Sequence, residues 1–219
     1  GANYIEQNAP AHYRGQGVRG EVFDAGFNLA HVDFQSRPLI QHGSVGADSH
    51  GASTSGIVFG DGTGNALARG MLSAAQGIVS TYITWGLNGP GRRQHTQEQV
   101  QAPYFCVFET SSVGDPQVTN YTTISAETDA DLFDFDVVHC QSQSNMGNQN
   151  SRPQAWAKNI ISGGGIYHQD TLDPNDDRWS GGASIGPATD GRIKPDVCAY
   201  YDMILTTDGP GSNAYTTSF

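Results

Sequence analysis

The first quarter of the chain holds two short motifs whose side chains suit proton transfer. The apolar run Gly20 to Phe23 predicts a β-strand that ends on Asp24, and Gly26 supplies a turn after it. A carboxylate at the carboxyl end of a strand lies where α/β proteins usually build their sites. The second motif, Ser49-His50-Gly51, opens a stretch of mostly small residues, Ala52 to Gly60, which predicts a closely packed helix. A carboxylate that fixes the tautomer of an imidazole makes it a base able to activate a hydroxyl group.

The elements that must position these residues alternate along the whole chain. Short apolar runs of strand length alternate with stretches suited to helices, which is typical of a parallel sheet with crossover helices. We see no internal repeat and no linker, so we predict one α/β domain over residues 1–219. The later predicted strands are Gly77 to Ile83, Tyr104 to Phe108, Phe135 to Cys140 and Ala157 to Ser162.

Charge and hydropathy argue against several classes of protein. Eleven Lys and Arg against 22 Asp and Glu give a formal net charge of −11, which argues against a nucleic-acid partner. No apolar run approaches the roughly 20 residues that span a membrane, so we expect no membrane partner. The acidic, lysine-poor composition favours an exported protein, secreted or periplasmic. Cys106, Cys140 and Cys198 match no metal-binding spacing, and they leave open both buried free thiols and one disulfide.

Four motifs occur in order along the chain. They are Gly17-Val18 with Val22 to Gly26, Asp48 to Gly51 with Gly56, Ser144 to Gly147, and Asp190 to Val197. Together they resemble the motifs of the subtilisin-like serine proteases, the subtilases; the resemblance spans nearly the whole chain, and the fourth motif is the most specific.

The resemblance implies a three-layer α/β fold with a mostly parallel central sheet flanked by helices, and a triad in the order Asp, His, Ser. Asp24 would be the orienting aspartate and His50 the general base of a serine endopeptidase that acts on a peptide or protein substrate.

A second His-Gly pair, His42-Gly43, competes with His50-Gly51 for the role of base. The family pattern has a glycine six residues after the catalytic histidine. Asp48 occupies that position relative to His42, whereas Gly56 occupies it relative to His50. The resemblance therefore favours His50.

The resemblance also assigns residues that would bind the substrate. Asn145 corresponds to the asparagine whose side-chain amide stabilises the oxyanion of the transition state. Ser112, Val113 and Gly114 resemble the family's substrate-binding strand. Where the family has small Ala-Ala-Gly residues before the asparagine, this chain has Ser142, Gln143 and Ser144. We therefore predict a narrower or more polar primary specificity pocket.

The largest departure of this sequence from the family pattern concerns the nucleophilic serine. The family's Gly-Thr-Ser-x-Ala motif, which begins a buried helix, is absent, and Ser218 is a poor substitute because only Phe219 follows it. We expect the catalytic serine to lie on a continuing segment or a second chain, so this chain alone should be inactive. The alternative is a catalytically inactive subtilase-like domain that binds peptides or protein partners.

Two further ligand hypotheses concern loops. Subtilases often bind structural calcium, and the acidic loop with Asp170, Asp173, Asp176 and Asp177 offers oxygen ligands, although a solvated loop explains the same residues. The chemistry itself requires no cofactor. A nucleotide site is disfavoured because the glycine run 163–165 leads into Ile166-Tyr167 and not into a helix start.

Overall fold

A seven-stranded parallel sheet forms the centre of the molecule. The computed structural model describes residues 6–8, 13–179 and 181–218. The strand order is β2-β3-β1-β4-β5-β6-β7, and a separate antiparallel hairpin consists of β8 and β9. This arrangement confirms the predicted α/β class with a parallel central sheet. The strands are β1 (Arg19–Asp24), β2 (Ile40–Gln41), β3 (Gln76–Thr81), β4 (Phe108–Ser111), β5 (Val138–Ser142), β6 (Ile161–Ile166), β7 (Val197–Tyr200), β8 (Ile204–Thr207) and β9 (Tyr215–Ser218).

In the described part of the chain, residues 6–8 are helical, and four further α-helices connect or flank these strands. They are α1 (Ser49–Phe59), α2 (Tyr82–Trp85), α3 (Gly89–Gln99) and α4 (Thr123–Phe135). Short 3-10 turns cover Val32–Phe34, Ala66–Ala68 and Pro153–Trp156. Helix α1 packs on one face of the sheet, whereas α3 and α4 pack against each other on the opposite face. None of the helices in the described part of the chain is long and apolar enough to cross a bilayer.

Four predicted strand boundaries are wrong. The strand predicted from Ala157 begins only at Ile161, and the strand predicted to reach Ile83 ends at Thr81 because a helix begins at Tyr82.

Strands β4 and β5 also begin later than predicted, because left-handed backbone interrupts their apolar runs. Phe105 has a φ of 51°, which breaks the run from Tyr104, and β4 starts only at Phe108. Asp136 has a φ of 50° and ends α4, so the run from Phe135 divides between a helix and β5. The starting residues of β4 and β5 therefore depend on two local turns that hydrophobicity alone does not reveal.

Helix α1 lies close to the segment that directly follows strand β1 because glycines, Gly51 and Gly26, form the contact. A Cβ atom at Gly51 would overlap the carbonyl oxygen of Gly26. On its other side the helix binds the β8–β9 hairpin: Thr207 Oγ1 donates to the Ala52 carbonyl at 2.7 Å and Thr206 Oγ1 to that of Ser53 at 2.8 Å. The small residues of α1 are thus required by contacts on both sides.

Within the described part of the chain, no element covers one face of strands β5 to β7. Val138, Ile161 and Val197 project from it with 50%, 39% and 55% of their surface exposed. Strand β7 is also an edge of the sheet, and all four of its residues are exposed. We call this surface of β5, β6 and β7 the open sheet face. Burial of such apolar side chains is favourable, so this face is suited to a further packing element.

Substitution of Gly51 tests the close helix contact. We expect Gly51→Ala to lower the free energy of unfolding by about 1–3 kcal/mol, because the added methyl group must displace the Gly26 carbonyl or the helix. Gly46→Ala is the matched control, because a Cβ there meets nothing within 4 Å. Urea unfolding of both variants measures the difference. Equal stabilities would contradict the proposed packing constraint.

Candidate active site

Asp24 is the last residue of β1, and its carboxylate is fully buried. The backbone N–H of Ala25 donates to Oδ1 at 2.7 Å, and the Thr54 hydroxyl lies 3.1 Å from Oδ2. These donors compensate part of the cost of removing a carboxylate from water. They also fix the orientation of the carboxylate at the carboxyl end of the central strand.

His50 lies in the first turn of α1, beside this carboxylate. The Asp48 side chain caps the helix by accepting the His50 backbone N–H at 2.7 Å. The imidazole Nδ1 lies 2.7 Å from Asp24 Oδ1, although the two residues are 26 positions apart. A carboxylate can only accept at this contact, so Nδ1 carries the proton and Nε2 is the basic nitrogen of neutral His50. The hydrogen bond to Asp24 raises the pKa of His50, against the opposing effect of burial.

A cleft of about 360 Å³ adjoins His50 and extends over the carboxyl ends of β4, β5 and β6. Asn145, in the loop after β5, lines this cleft together with His50. Its Oδ1 lies 3.3 Å from the Tyr201 hydroxyl, which donates to it. The Tyr201 hydroxyl thus bonds to the amide oxygen of Asn145, and Nδ2 is the hydrogen-bond donor of this side chain.

The predicted substrate-binding residues divide into two groups. Ser112, Ser142, Gln143 and Ser144 line the same cleft as His50. Val113 instead lines a smaller cavity on the other side of the sheet. Gly114 packs against neighbouring side chains, and its carbonyl accepts a hydrogen bond from Arg152 Nη1 at 2.9 Å.

Sequence reasoning missed three residues of this region. Thr54 follows His50 by one helical turn, and that spacing is a usable signal for a contact with the same carboxylate. Arg152 lines the cleft and donates to the carbonyls of Gly114 and Asp115. Tyr201 is brought to Asn145 only by the parallel sheet, so no local pattern could have revealed it.

Ser218 and the acidic loop lie on elements that carry none of Asp24, His50 and Asn145. Ser218 ends β9, where its backbone pairs with Ile204 of β8. In the acidic loop, Asp173 Oδ1 accepts hydrogen bonds from Asn175, and the carboxylate of Asp176 accepts the Thr171 hydroxyl. Among the residues that the structure describes, the acidic loop brings no three potential ligands together, so we derive no calcium-dependent step from it.

Comparison with solved structures defines the fold. The prenylagaramide maturation protease PagA matches with a TM-score of 0.71 at 14% identity, over 94% of this chain and 70% of that chain. Sphericase matches with a TM-score of 0.70 at 16% identity, over 100% and 77% of the two chains. The PatG macrocyclase domain matches with a TM-score of 0.71 at 9% identity, over 98% and 76%. The chain therefore has a subtilisin-like fold, as the sequence motifs predict. No protein-family model and no curated protein sequence match it significantly.

Removal of the Asp24 charge tests the electrostatics of this pair. We expect Asp24→Asn to lower the pKa of His50, because the hydrogen bond to the carboxylate is the largest cause of its upward shift. An NMR titration of the imidazole Cε1–H signal measures the effect. Asp48→Asn is the matched control, because it removes a nearby charge but retains a good helix cap. A shift of the same size in both variants would contradict a specific role for Asp24.

Proposed function

We propose that this chain is the Asp- and His-bearing part of a serine-type endopeptidase. The observation that carries the proposal is the 2.7 Å contact between Asp24 Oδ1 and His50 Nδ1 beside a cleft that also contains Asn145. A buried carboxylate, an imidazole with a basic Nε2 and a side-chain amide donor are three of the four groups that acyl transfer through serine requires. The fold of the protease neighbours supports the same assignment.

In the proposed reaction, His50 Nε2 removes the proton from a serine hydroxyl while the serine oxygen attacks the peptide carbonyl carbon. Asn145 Nδ2 donates to the oxygen that becomes negative. Collapse of the tetrahedral intermediate breaks the C–N bond, and the imidazolium gives its proton to the departing amine. Water then hydrolyses the acyl-enzyme ester by the same proton route in reverse. Asp24 stabilises the imidazolium at both stages.

The open sheet face supports the second part of the proposal, which concerns the source of the serine. This face adjoins the cleft, since Ile161 and Val197 line both. An amphipathic helix whose apolar side covers these residues would place its first turn near His50. We propose that a continuing segment or a second chain supplies such a helix together with the nucleophilic serine.

Activity and active-site labelling of the complete protein test this function. We expect peptide hydrolysis and covalent labelling by a serine-directed phosphonylating reagent, and we expect neither from residues 1–219 alone. His50→Ala should lower kcat by about 10⁶-fold, the size of loss that removal of the base causes in a subtilisin triad. Ser49→Ala, in the same helical turn, should retain both activities.

Two results would contradict the proposal in different ways. Robust hydrolysis by residues 1–219 alone would show that the nucleophile is already present. A folded complete protein that binds peptides but neither cleaves them nor reacts with the reagent would instead support the inactive binding domain.

Substitution of Asn145 tests the proposed oxyanion donor. We expect Asn145→Ala in the complete protein to lower kcat by about 10²- to 10³-fold with little change in KM, because the lost hydrogen bond forms mainly in the transition state. Asn148→Ala is the matched control in the same loop, since Asn148 Oδ1 accepts the Asn150 backbone N–H. Steady-state kinetics with a peptide substrate measure both variants. An unchanged kcat in Asn145→Ala would show that this asparagine only shapes the turn.

A further inference from the structure

A cluster of polar side chains is buried between the sheet and α3, on the face opposite the cleft. Glu21 lies on β1, His42 directly follows β2, and His95 and Gln99 lie one turn apart on α3. All four are buried, with exposed fractions of 0% to 2%. We call these four residues the histidine cluster. His42 is the histidine of the second His-Gly pair, which the proposed peptidase does not use.

The electron-pair donors of Glu21, His42 and His95 converge on one position, which the Gln99 amide nitrogen occupies. We call this position the common point. Glu21 Oε1 lies 2.7 Å from His95 Nε2. Gln99 Nε2 lies 2.6 Å from Glu21 Oε1, 2.9 Å from His42 Nδ1 and 3.4 Å from His95 Nε2. One carboxylate oxygen and two imidazole nitrogens thus surround a single amide group, and these three atoms lie within 4.8 Å of one another.

Two oxygens of the cluster are buried without a hydrogen-bond partner in the described part of the chain. They are Glu21 Oε2 and Gln99 Oε1. An unpaired buried oxygen is costly, and more so on a carboxylate. An ion at the common point would take the place of the Gln99 amide nitrogen, so the Gln99 side chain must withdraw from its present position. If its amide also rotates by about half a turn, its oxygen becomes a fourth electron-pair donor toward the ion.

The charges of the region also favour a bound cation. Arg92 forms its ion pair with the buried Glu109 at 2.7 Å, and this pair holds the pKa of Glu109 well below its usual range despite the opposing effect of burial. The Glu21 carboxylate accepts hydrogen bonds from Ser80, His95 and Gln99 and has no Lys or Arg in direct contact among the described residues. A divalent ion at the common point would place a positive charge in direct contact with it.

His42 is already oriented as a metal ligand. Its Nε2 lies 2.8 Å from Glu98 Oε2, so the proton is on Nε2 and the lone pair of Nδ1 faces the cluster. A carboxylate behind a histidine is the usual outer-shell arrangement of zinc sites.

We propose that Glu21, His42 and His95, with Gln99 Oε1 as a fourth ligand, bind a divalent transition-metal ion of the Zn²⁺ class. Imidazole and carboxylate ligands suit this class, and four protein ligands without an open position define a structural site. The ligand atoms would close to about 2.0–2.2 Å from the ion. The ion would cross-link three parts of the fold: strand β1, helix α3 and the segment that follows β2.

Binding requires one tautomeric change and no net loss of a proton. In the metal-free network, Arg92 Nη1 donates to His95 Nδ1, so the His95 proton is on Nε2. With the ion on Nε2, the proton moves to Nδ1, and Arg92 withdraws from this contact. Arg92 retains its bonds to Thr96 Oγ1 at 2.8 Å and to Glu109.

Metal analysis of the complete protein tests the site. We expect about one Zn²⁺ per chain by elemental analysis after dialysis against the metal. Addition of Co²⁺ to chelator-treated protein should produce the visible ligand-field bands of a four-coordinate site. Both signals should be lost in His42→Ala and retained in His31→Ala, which removes a buried histidine that bonds to the Ala214 carbonyl.

A surface variant keeps the test valid if the buried variants fail to fold. Glu98 is 42% exposed in its side chain, so Glu98→Gln should fold normally. As the outer-shell partner of His42, it should weaken Co²⁺ binding by about 10- to 100-fold. Absence of bound Zn²⁺ and of Co²⁺ bands in folded protein would overturn the proposal, and so would unchanged Co²⁺ affinity in Glu98→Gln. The structure would then hold a purely hydrogen-bonded polar cluster.

Discussion

The close approach of helix α1 to the end of β1 is the constraint on which the candidate site depends. Gly51 lies so near the Gly26 carbonyl that no side chain fits between them. Because of this contact, the first turn of the helix brings His50 to the buried Asp24 at 2.7 Å. A shift of the helix by the width of a methyl group would lengthen that hydrogen bond. The carboxylate would then stabilise a protonated His50 less. The geometry of the Asp24–His50 pair is therefore set by the packing of the backbone.

Several parts of this arrangement follow from sequence alone. Asp24 ends an apolar strand and His50 begins a helix of small residues, so local patterns place both correctly on their elements. The meeting of the two is not local, and only the family motifs indicated it. The boundaries of β4 and β5 are less predictable, because Phe105 and Asp136 adopt left-handed backbone although neither is a glycine. The contact of Tyr201 with Asn145 needs two loops from different strands, which a one-dimensional pattern cannot specify.

The two faces of β1 carry different chemistry because side chains alternate along a strand. Asp24 faces α1 and the cleft, whereas Glu21, an odd number of residues earlier, faces α3. Both carboxylates are fully buried, and each is held beside a histidine from a neighbouring helix. The sheet separates the two, so the proposed metal ion would stabilise the central strand without contacting the proposed reaction.

The two edges of the sheet differ in how well they are protected against pairing with another chain. Strand β2 forms one edge and has only two residues, which offer little backbone to a foreign strand. Strand β7 forms the other edge with Val197-Cys198-Ala199-Tyr200, a run without charge or proline. Unpaired N–H and C=O groups along such an edge are a template for intermolecular strand addition. We therefore expect strand addition between copies of this chain to involve β7. A charged residue introduced into this strand would oppose such pairing.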